Sequence, residues 1–224
     1  MLLQSLNCCR GYFRTKENNM AVRNIIFDLG GVFIDIHYHK TRDAFMALGV
    51  ADFDALFQQS YSNPLFAQLE QGELSPEDFY DAFRAETGLN VSNAQIRDAW
   101  NAMLGDFRPQ SVAVLPALKQ SHAIFLLSNT NQIHHEAFTS QYQQTFGHDF
   151  DEHFHVAHYS HILGLRKPHV TCYEAVLQQH GLHAAATLFI DDTPKNIAGA
   201  EAAGLQTLLL SPGLLLEEEL PKYL

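Results

Sequence analysis

The chain has 224 residues, 46% of them hydrophobic and 17% charged, a globular rather than disordered balance. Its size allows one large domain or a domain with an insert, and burial of about 70% of the unfolded surface removes any need for disulfide or metal staples. Fourteen Lys and Arg against 25 Asp and Glu leave a formal charge of −11, which argues against partnership with nucleic acid or an anionic membrane face. Small anionic substrates stay compatible, because one bound cation or one lysine reverses the field locally.

Residues 1–21 read as a loose extension, and Met20, just ahead of the first strand, reads as an alternative start. The basic residues of this segment follow its apolar ones, the reverse of a secretory signal. No apolar run in the chain approaches the roughly 18 residues of a membrane span. Cys8, Cys9 and Cys172 form no CxxC pair or zinc spacing, and their odd number suits a reducing compartment. The expected location is the cytoplasm.

Asn24–Leu29 is a near-continuous apolar run of the kind that forms a strand buried on both faces. Residues 38–105 differ. Thr41–Leu48, Phe53–Ser60, Ser75–Thr87 and Ser92–Leu104 show helical spacing of apolar residues, and no convincing strand interrupts them. Ser75-Pro76-Glu77-Asp78 is a helix start, with Gly88 placed to end that helix. So long a helical stretch is no ordinary crossover, and it reads as an inserted cap, with Arg108-Pro109 marking the return to the core. Ala123–Ser128, Thr187–Ile190 and Gln206–Leu210 are further buried strands, and Phe154–Tyr159 is a more polar fifth. Strand and helix in alternation predict an α/β fold, a Rossmann-like doubly wound parallel sheet, with core residues 22–37 and 106–224 and a helical cap at 38–105.

In such sheets, ligands collect beyond the carboxyl ends of the strands. The first strand ends in Asp28, followed by Leu29-Gly30-Gly31. The second ends in Ser128-Asn129-Thr130-Asn131. Lys167-Pro168 opens a later helix, and Asp191-Asp192 follows another strand, with Thr193-Pro194-Lys195-Asn196 starting the next helix. Singly, each has an ordinary structural explanation: a cap, a turn, a solvated lysine, acids favoured by a helix dipole. Together they supply an acid, a hydroxyl, a cation and an acid pair on one rim. That set suits phosphoryl transfer with a divalent ion. Carboxylates and carbonyls match Mg²⁺, a carboxylate can attack phosphorus, and Ser, Lys and helix N-termini hold the equatorial oxygens.

With these motifs in this order over residues 24–210, the chain resembles the haloacid dehalogenase-like superfamily. It is closest in pattern to the bacterial branch that includes the alpha-D-glucose-1-phosphate phosphatase, which shares the DLG, LSNTN, G-[LM]-R-K-P and F-x-D-D-x-x-x-N-I-x-G-A motifs. The resemblance implies a Rossmann-like core with a helical C1 cap after the first strand. It implies a Mg²⁺-dependent phosphatase of small phosphorylated metabolites, most of all sugar phosphates. Asp28 would be the nucleophile and a Mg²⁺ ligand, and the Gly30 carbonyl a second ligand. Ser128 and the backbone of Asn129 would bind phosphoryl oxygens, with Lys167 offsetting charge. Asp192 would bind Mg²⁺ directly, Asp191 would do so through water or as an anchor behind the ligands, and Asn196 would order the acidic loop.

One position departs from the family pattern. The usual phosphatase motif has an Asp two residues after the nucleophile as general acid and base, and here that position is Gly30. Loss of such a group costs about 10²–10⁴ in rate. A leaving group that needs little protonation, such as the anomeric oxygen of a sugar 1-phosphate, would tolerate it. The same gap argues against a phosphomutase, and it keeps open a binding or regulatory protein on a degenerate scaffold. The acid pair argues against a dehalogenase or phosphonatase. His153 and His155 are expected on one strand face, and the histidine clusters are expected to pack rather than bind zinc. Asp35, His37 and His39 follow the first motif without a sequence signal placing them in the site. Arg166 reads equally as phosphate contact or solvated loop, and Glu70 and Gln71 as a solvated helix end in preference to a reader of sugar hydroxyls.

Overall fold

A computed structural model describes residues 20–54 and 64–224. Residues 1–19, most of the expected extension, and residues 55–63, including most of the expected helix Phe53–Ser60, lie outside the described residues.

Five parallel strands form the main sheet: β1 Asn24–Phe27, β4 Ala123–Ser128, β5 Val156–Tyr159, β6 Thr187–Asp191 and β7 Gln206–Leu209, in the order β5-β4-β1-β6-β7. Side chains alternate between faces, and both faces are covered. Ile25, Phe27, Ile124, Leu126, Leu188 and Ile190 enter one core. Ile26, Phe125, Leu127 and Phe189 enter the other, against Tyr173, Val176 and Ala200. This double burial explains why the central strands read as unbroken apolar runs. Strand β5 is an edge with a half-buried start, so its sequence is more polar.

Around the sheet run α5 Pro109–Ala113, α6 Leu115–Ser121, α7 Gln132–Phe146, α8 Ser160–Leu163, α9 Val170–His180, α10 Pro194–Ala202 and α11 Leu216–Glu219. The segment between β1 and β4 holds α1 Tyr38–Ala47, α2 Pro64–Glu70, α3 Pro76–Thr87 and α4 Asn93–Asn101. Ser75 caps α3 by accepting from the Asp78 amide at 3.2 Å, and Gly88 ends it at φ 68°. Ser92 and Gln95 form a capping box at the start of α4. These helices share a separate aromatic core of Phe45, Phe53, Phe66, Phe79, Phe83 and Trp100.

Two expectations need correction. The expected helical segment ends in a strand: β3 Leu104–Phe107 pairs antiparallel with β2 Ile34–Ile36, Ile34 opposite Phe107 and Ile36 opposite Leu104. Helix α4 stops at Asn101, Ala102 and Met103 make a turn, and Leu104 opens β3. Such short strands carry no readable alternation. His153 and His155 do not share a strand face either. His153 lies in a 3-10 turn bonded to the Tyr142 hydroxyl at 2.7 Å, and His155 precedes β5.

One of the contacts that join cap and core is built on Trp100. His134 of α7 stacks on Trp100 of α4, with centroids 4.9 Å apart, and its Nε2 lies 3.1 Å from the Trp100 carbonyl oxygen. The Thr41 hydroxyl donates to that same oxygen at 2.9 Å.

Candidate active site

The parallel register brings the strand ends to one rim. Phe27 lies beside Leu126 and Ile190, so the residues that follow, Asp28, Ser128 and Asp191-Asp192, meet above the sheet. The Asp28 amide donates to the Ile190 carbonyl at 2.8 Å, which holds its backbone in register one residue past the strand.

Lys167 is buried at the centre of this group. Its Nζ lies 2.8 Å from Asp28 Oδ1 and 2.7 Å from Asp191 Oδ2, and 5.3 Å from the centroid of the Phe189 ring. Burial opposes its charge, but Asp191 and Asp28 outweigh that and raise its pKa, so the ammonium stays protonated. The Asn129 side chain holds the Lys167 backbone from both sides. Its amide donates to the Lys167 carbonyl and its oxygen accepts from the Lys167 amide, each at 2.9 Å. The family resemblance implies a role for the backbone of Asn129 alone. An Asn directly after a strand-end Ser was the available signal, but its partner lies 38 residues away.

Asp191 is fully buried with both oxygens occupied. Oδ1 accepts from the Thr193 amide at 2.8 Å and from Asn196 Nδ2 at 3.1 Å. Oδ2 accepts from Lys167, and from Asn196 Nδ2 at 3.0 Å. Asn196 is itself placed by the Tyr173 hydroxyl, which donates to its carbonyl at 2.7 Å. A carboxylate so fully engaged orients its neighbours and has little left for direct metal ligation. Asp192 reaches the solvent side and accepts from the Thr193 hydroxyl at 3.0 Å.

Ligand atoms of Asp28, Asp191 and Asp192 lie within 4.8 Å of one another, the one such group among the described residues. Three carboxylates against the single Lys167 ammonium leave two negative charges, which a divalent cation would balance. Burial pushes the Asp28 carboxyl up to about 7, with Asp191 and Asp192 adding to the rise and Lys167 opposing it. A cation at this point favours the ionised form. The donor set, hard oxygens with two carboxylates accessible, fits Mg²⁺. Gly31 adds a steric requirement. Its φ is 69°, and a Cβ there would stand 2.1 Å from Asp192 Oδ2, so only glycine lets the two loops meet.

Around these groups opens a cavity of about 830 Å³. Ser128, Asn129, Lys167 and Asp192 line its core side, and Phe66, Glu70, Gln71, Trp100 and Met103 its cap side. Ile36 of β2 borders this loop, with its Cγ1 3.2 Å from an idealised Cβ on Gly30. Gly30 itself brings no ionisable side chain to this position. Asp35 is elsewhere: it pairs with Arg108 at 2.7 Å, and Arg108 also donates to the Gly31 carbonyl, bracing the loop from outside. Glu70 is not a solvated helix end, and Arg166 is not a solvated loop residue. They form an ion pair at 2.7 Å between the end of α2 and the residue before Lys167. Burial raises the Glu70 pKa, and Arg166 opposes that rise.

The pattern of haloacid dehalogenase-like hydrolases matches residues 22–204. The chain belongs to this family. It is 27% identical to a D-ribitol-5-phosphate phosphatase of Bacteroides thetaiotaomicron, over 83% of this chain and 90% of that protein. It is 29% identical to a sesquiterpene phosphatase of Aspergillus oryzae, over 84% and 90%. A family enzyme from Bacteroides thetaiotaomicron, solved in mutant form with magnesium and inorganic phosphate, superposes with a TM-score of 0.82 at 28% identity, over 87% of this chain and 96% of that one. Among the described residues of this hydrolase, no helix is long and apolar enough to cross a membrane.

Proposed function

We propose that this hydrolase is a Mg²⁺-dependent phosphatase of small phosphorylated metabolites that works through an aspartyl-phosphate on Asp28. The observation that carries the reading is the junction of Asp28, Lys167 and the acid pair at the floor of a capped cavity. The phosphatase names of two relatives, and the magnesium and phosphate in the solved enzyme, support it.

Asp28, Asp192 and the Gly30 carbonyl would hold Mg²⁺, and Asp191 would act behind them. When bound, the ion neutralises charge between the carboxylate and the phosphoryl oxygens. An Asp28 oxygen attacks phosphorus in line, the bond to the alcohol oxygen breaks, and water then cleaves the acyl phosphate. Ser128 and the Asn129 backbone would bind phosphoryl oxygens. Lys167 offsets charge on nucleophile and phosphoryl group while staying protonated. Gly30 offers no proton, so the departing oxygen takes one from water or leaves as a stabilised anion. Within the substrate class this favours sugar phosphates with a good leaving group, such as glucose 1-phosphate, and the bacterial glucose-1-phosphate phosphatase-like branch. We place the cap at 38–105 and the core at 22–37 and 106–224, with β3 straddling the second boundary where it pairs with β2. The cytoplasm is the proposed location.

The test is phosphate release at neutral pH from glucose 1-phosphate, D-ribitol 5-phosphate and an aryl phosphate, with Mg²⁺ or with EDTA. Metal-dependent release, strongest on the 1-phosphate and abolished by Asp28→Asn, is the expected outcome. No release by folded protein that binds Mg²⁺ would overturn the reading in favour of a binding or regulatory role.

A further inference from the structure

We propose that Glu70 and Arg166 form a diol-reading pair that selects polyhydroxylated organic groups, an inference that rests on the phosphatase reading for its phosphate anchor. Both residues line the cavity, and their side chains are 23% and 22% exposed. Arg166 precedes Lys167 in the chain, so its backbone is tied to the phosphoryl end. Glu70 is the last residue of α2 and comes from the cap. Arg166 Nη2 reaches Glu70 Oε2 at 2.7 Å, yet the contact lacks hydrogen-bond alignment, and Glu70 Oε2 and Arg166 Nε both lie buried without a hydrogen-bond partner.

The ion pair engages Glu70 Oε2 electrostatically but leaves it and Arg166 Nε without an aligned hydrogen bond, which is costly for a purely structural bridge. The two atoms are complementary to a vicinal diol. One hydroxyl donates to the carboxylate, and the neighbouring hydroxyl oxygen accepts from the guanidinium, which has no acceptor of its own. Both atoms are covered in this structure, so reading a diol requires the pair to turn toward the cavity it lines. The rest of the cap wall is mostly apolar, with Phe66, Ala67, Trp100 and Met103. In an apolar wall, a few polar groups decide which ligand fits. A ligand without hydroxyls would leave the pair as unsatisfied as before, and that difference gives discrimination.

The experiment measures calorimetric affinity, with Mg²⁺, for D-ribitol 5-phosphate and for pentyl phosphate, which has the same carbon count and no hydroxyls. The Asp28→Asn variant serves as the non-turning background. A preference of about tenfold or more for the ribitol ligand is expected there, as one charge-assisted hydrogen bond would supply. Adding Glu70→Leu should reduce the preference to within about twofold while leaving pentyl phosphate affinity unchanged. Because Glu70→Leu leaves Arg166 without its counter-ion, a second background carries Glu70→Leu with Arg166→Met. Removing both charges together spares the fold, and this variant should lose the preference equally. Equal affinity for the two ligands in the Asp28→Asn background, or a preference that survives loss of both side chains, overturns the proposal. An intact, pair-dependent preference without phosphate release by the wild-type protein would refute the phosphatase reading alone.

Discussion

Gly199→Ala tests whether the core, rather than the site's own side chains, positions Lys167. Gly199 lies on the buried side of α10, where a Cβ would stand 2.2 Å from the Pro168 carbonyl oxygen and 3.0 Å from both the Pro168 carbonyl carbon and Tyr173 Cε2. The nearest obstacle is backbone, so a rotamer change does not relieve it. The helix or the Lys167-Pro168 loop moves by roughly 1 Å to restore ordinary contact. That loop carries the ammonium 2.8 Å from Asp28 and 2.7 Å from Asp191. A misplacement of this size costs about 10²-fold in rate, or roughly 2.7 kcal/mol of barrier. Stability changes less. Overpacking costs about 1–3 kcal/mol, and alanine recovers roughly 1 kcal/mol of helix propensity over glycine. The net loss, about 0–2 kcal/mol, lowers Tm by no more than about 8 °C in a chain of this size. Phosphate-release kcat/KM and calorimetric Tm, measured on the same preparation, check this. A variant with wild-type kcat/KM and a raised Tm would refute the reasoning, because it would show that α10 does not set the loop's position.

Lys167→Met leaves Asp28 and Asp191 facing each other without their shared cation, and breaking such a buried pair costs about 3–5 kcal/mol in urea unfolding; a loss under about 1 kcal/mol would contradict the pairing. Mg²⁺ at a hundred times its Kd should stabilise the wild-type protein by about 2.7 kcal/mol in a thermal titration. Asp192→Asn should require at least about tenfold more metal for the same shift, and superimposable titrations would remove Asp192 from the ligand set. Burial pushes the His134 imidazole down to about 4, against the opposing pull of the Trp100 carbonyl. The unfolded imidazole gains its proton near pH 6.5 and the folded one only near 4. Stability is therefore held above about pH 6.5 and falls by about 3 kcal/mol as pH drops to 4. His158 and His161 are also pushed down to about 4 by burial, so His134→Gln should remove only its own share, about 3 kcal/mol, of the fall across that window, and an unchanged slope would count against a neutral buried His134.

The sequence by itself determined the parallel sheet and the rim. Strands buried on both faces must be apolar throughout, so β1, β4 and β6 announce themselves as IIF, AIFLLS and TLFI. Their carboxyl ends then expose Asp28, Ser128 and Asp191-Asp192 as polar residues where apolar ones stop. Local hydrogen bonding also wrote the helix starts at Ser75 and Ser92 into the chain, because a cap and its amide are three residues apart. Three things belonged to the tertiary structure alone. The antiparallel pair Ile34–Ile36 with Leu104–Phe107 is too short for a period-2 signal and exists through pairing across the whole cap. Asn129 clamps the Lys167 backbone, and Glu70 meets Arg166, only because distant loops are brought together. The approach of Ile36 to Gly30 is of the same kind. Propensity and periodicity act over a few residues, and so they reveal which elements form and which groups lie at their ends. Which side chain faces which across loops tens of residues apart depends on packing the cap and core into one close-packed volume, and no local pattern in the chain encodes that.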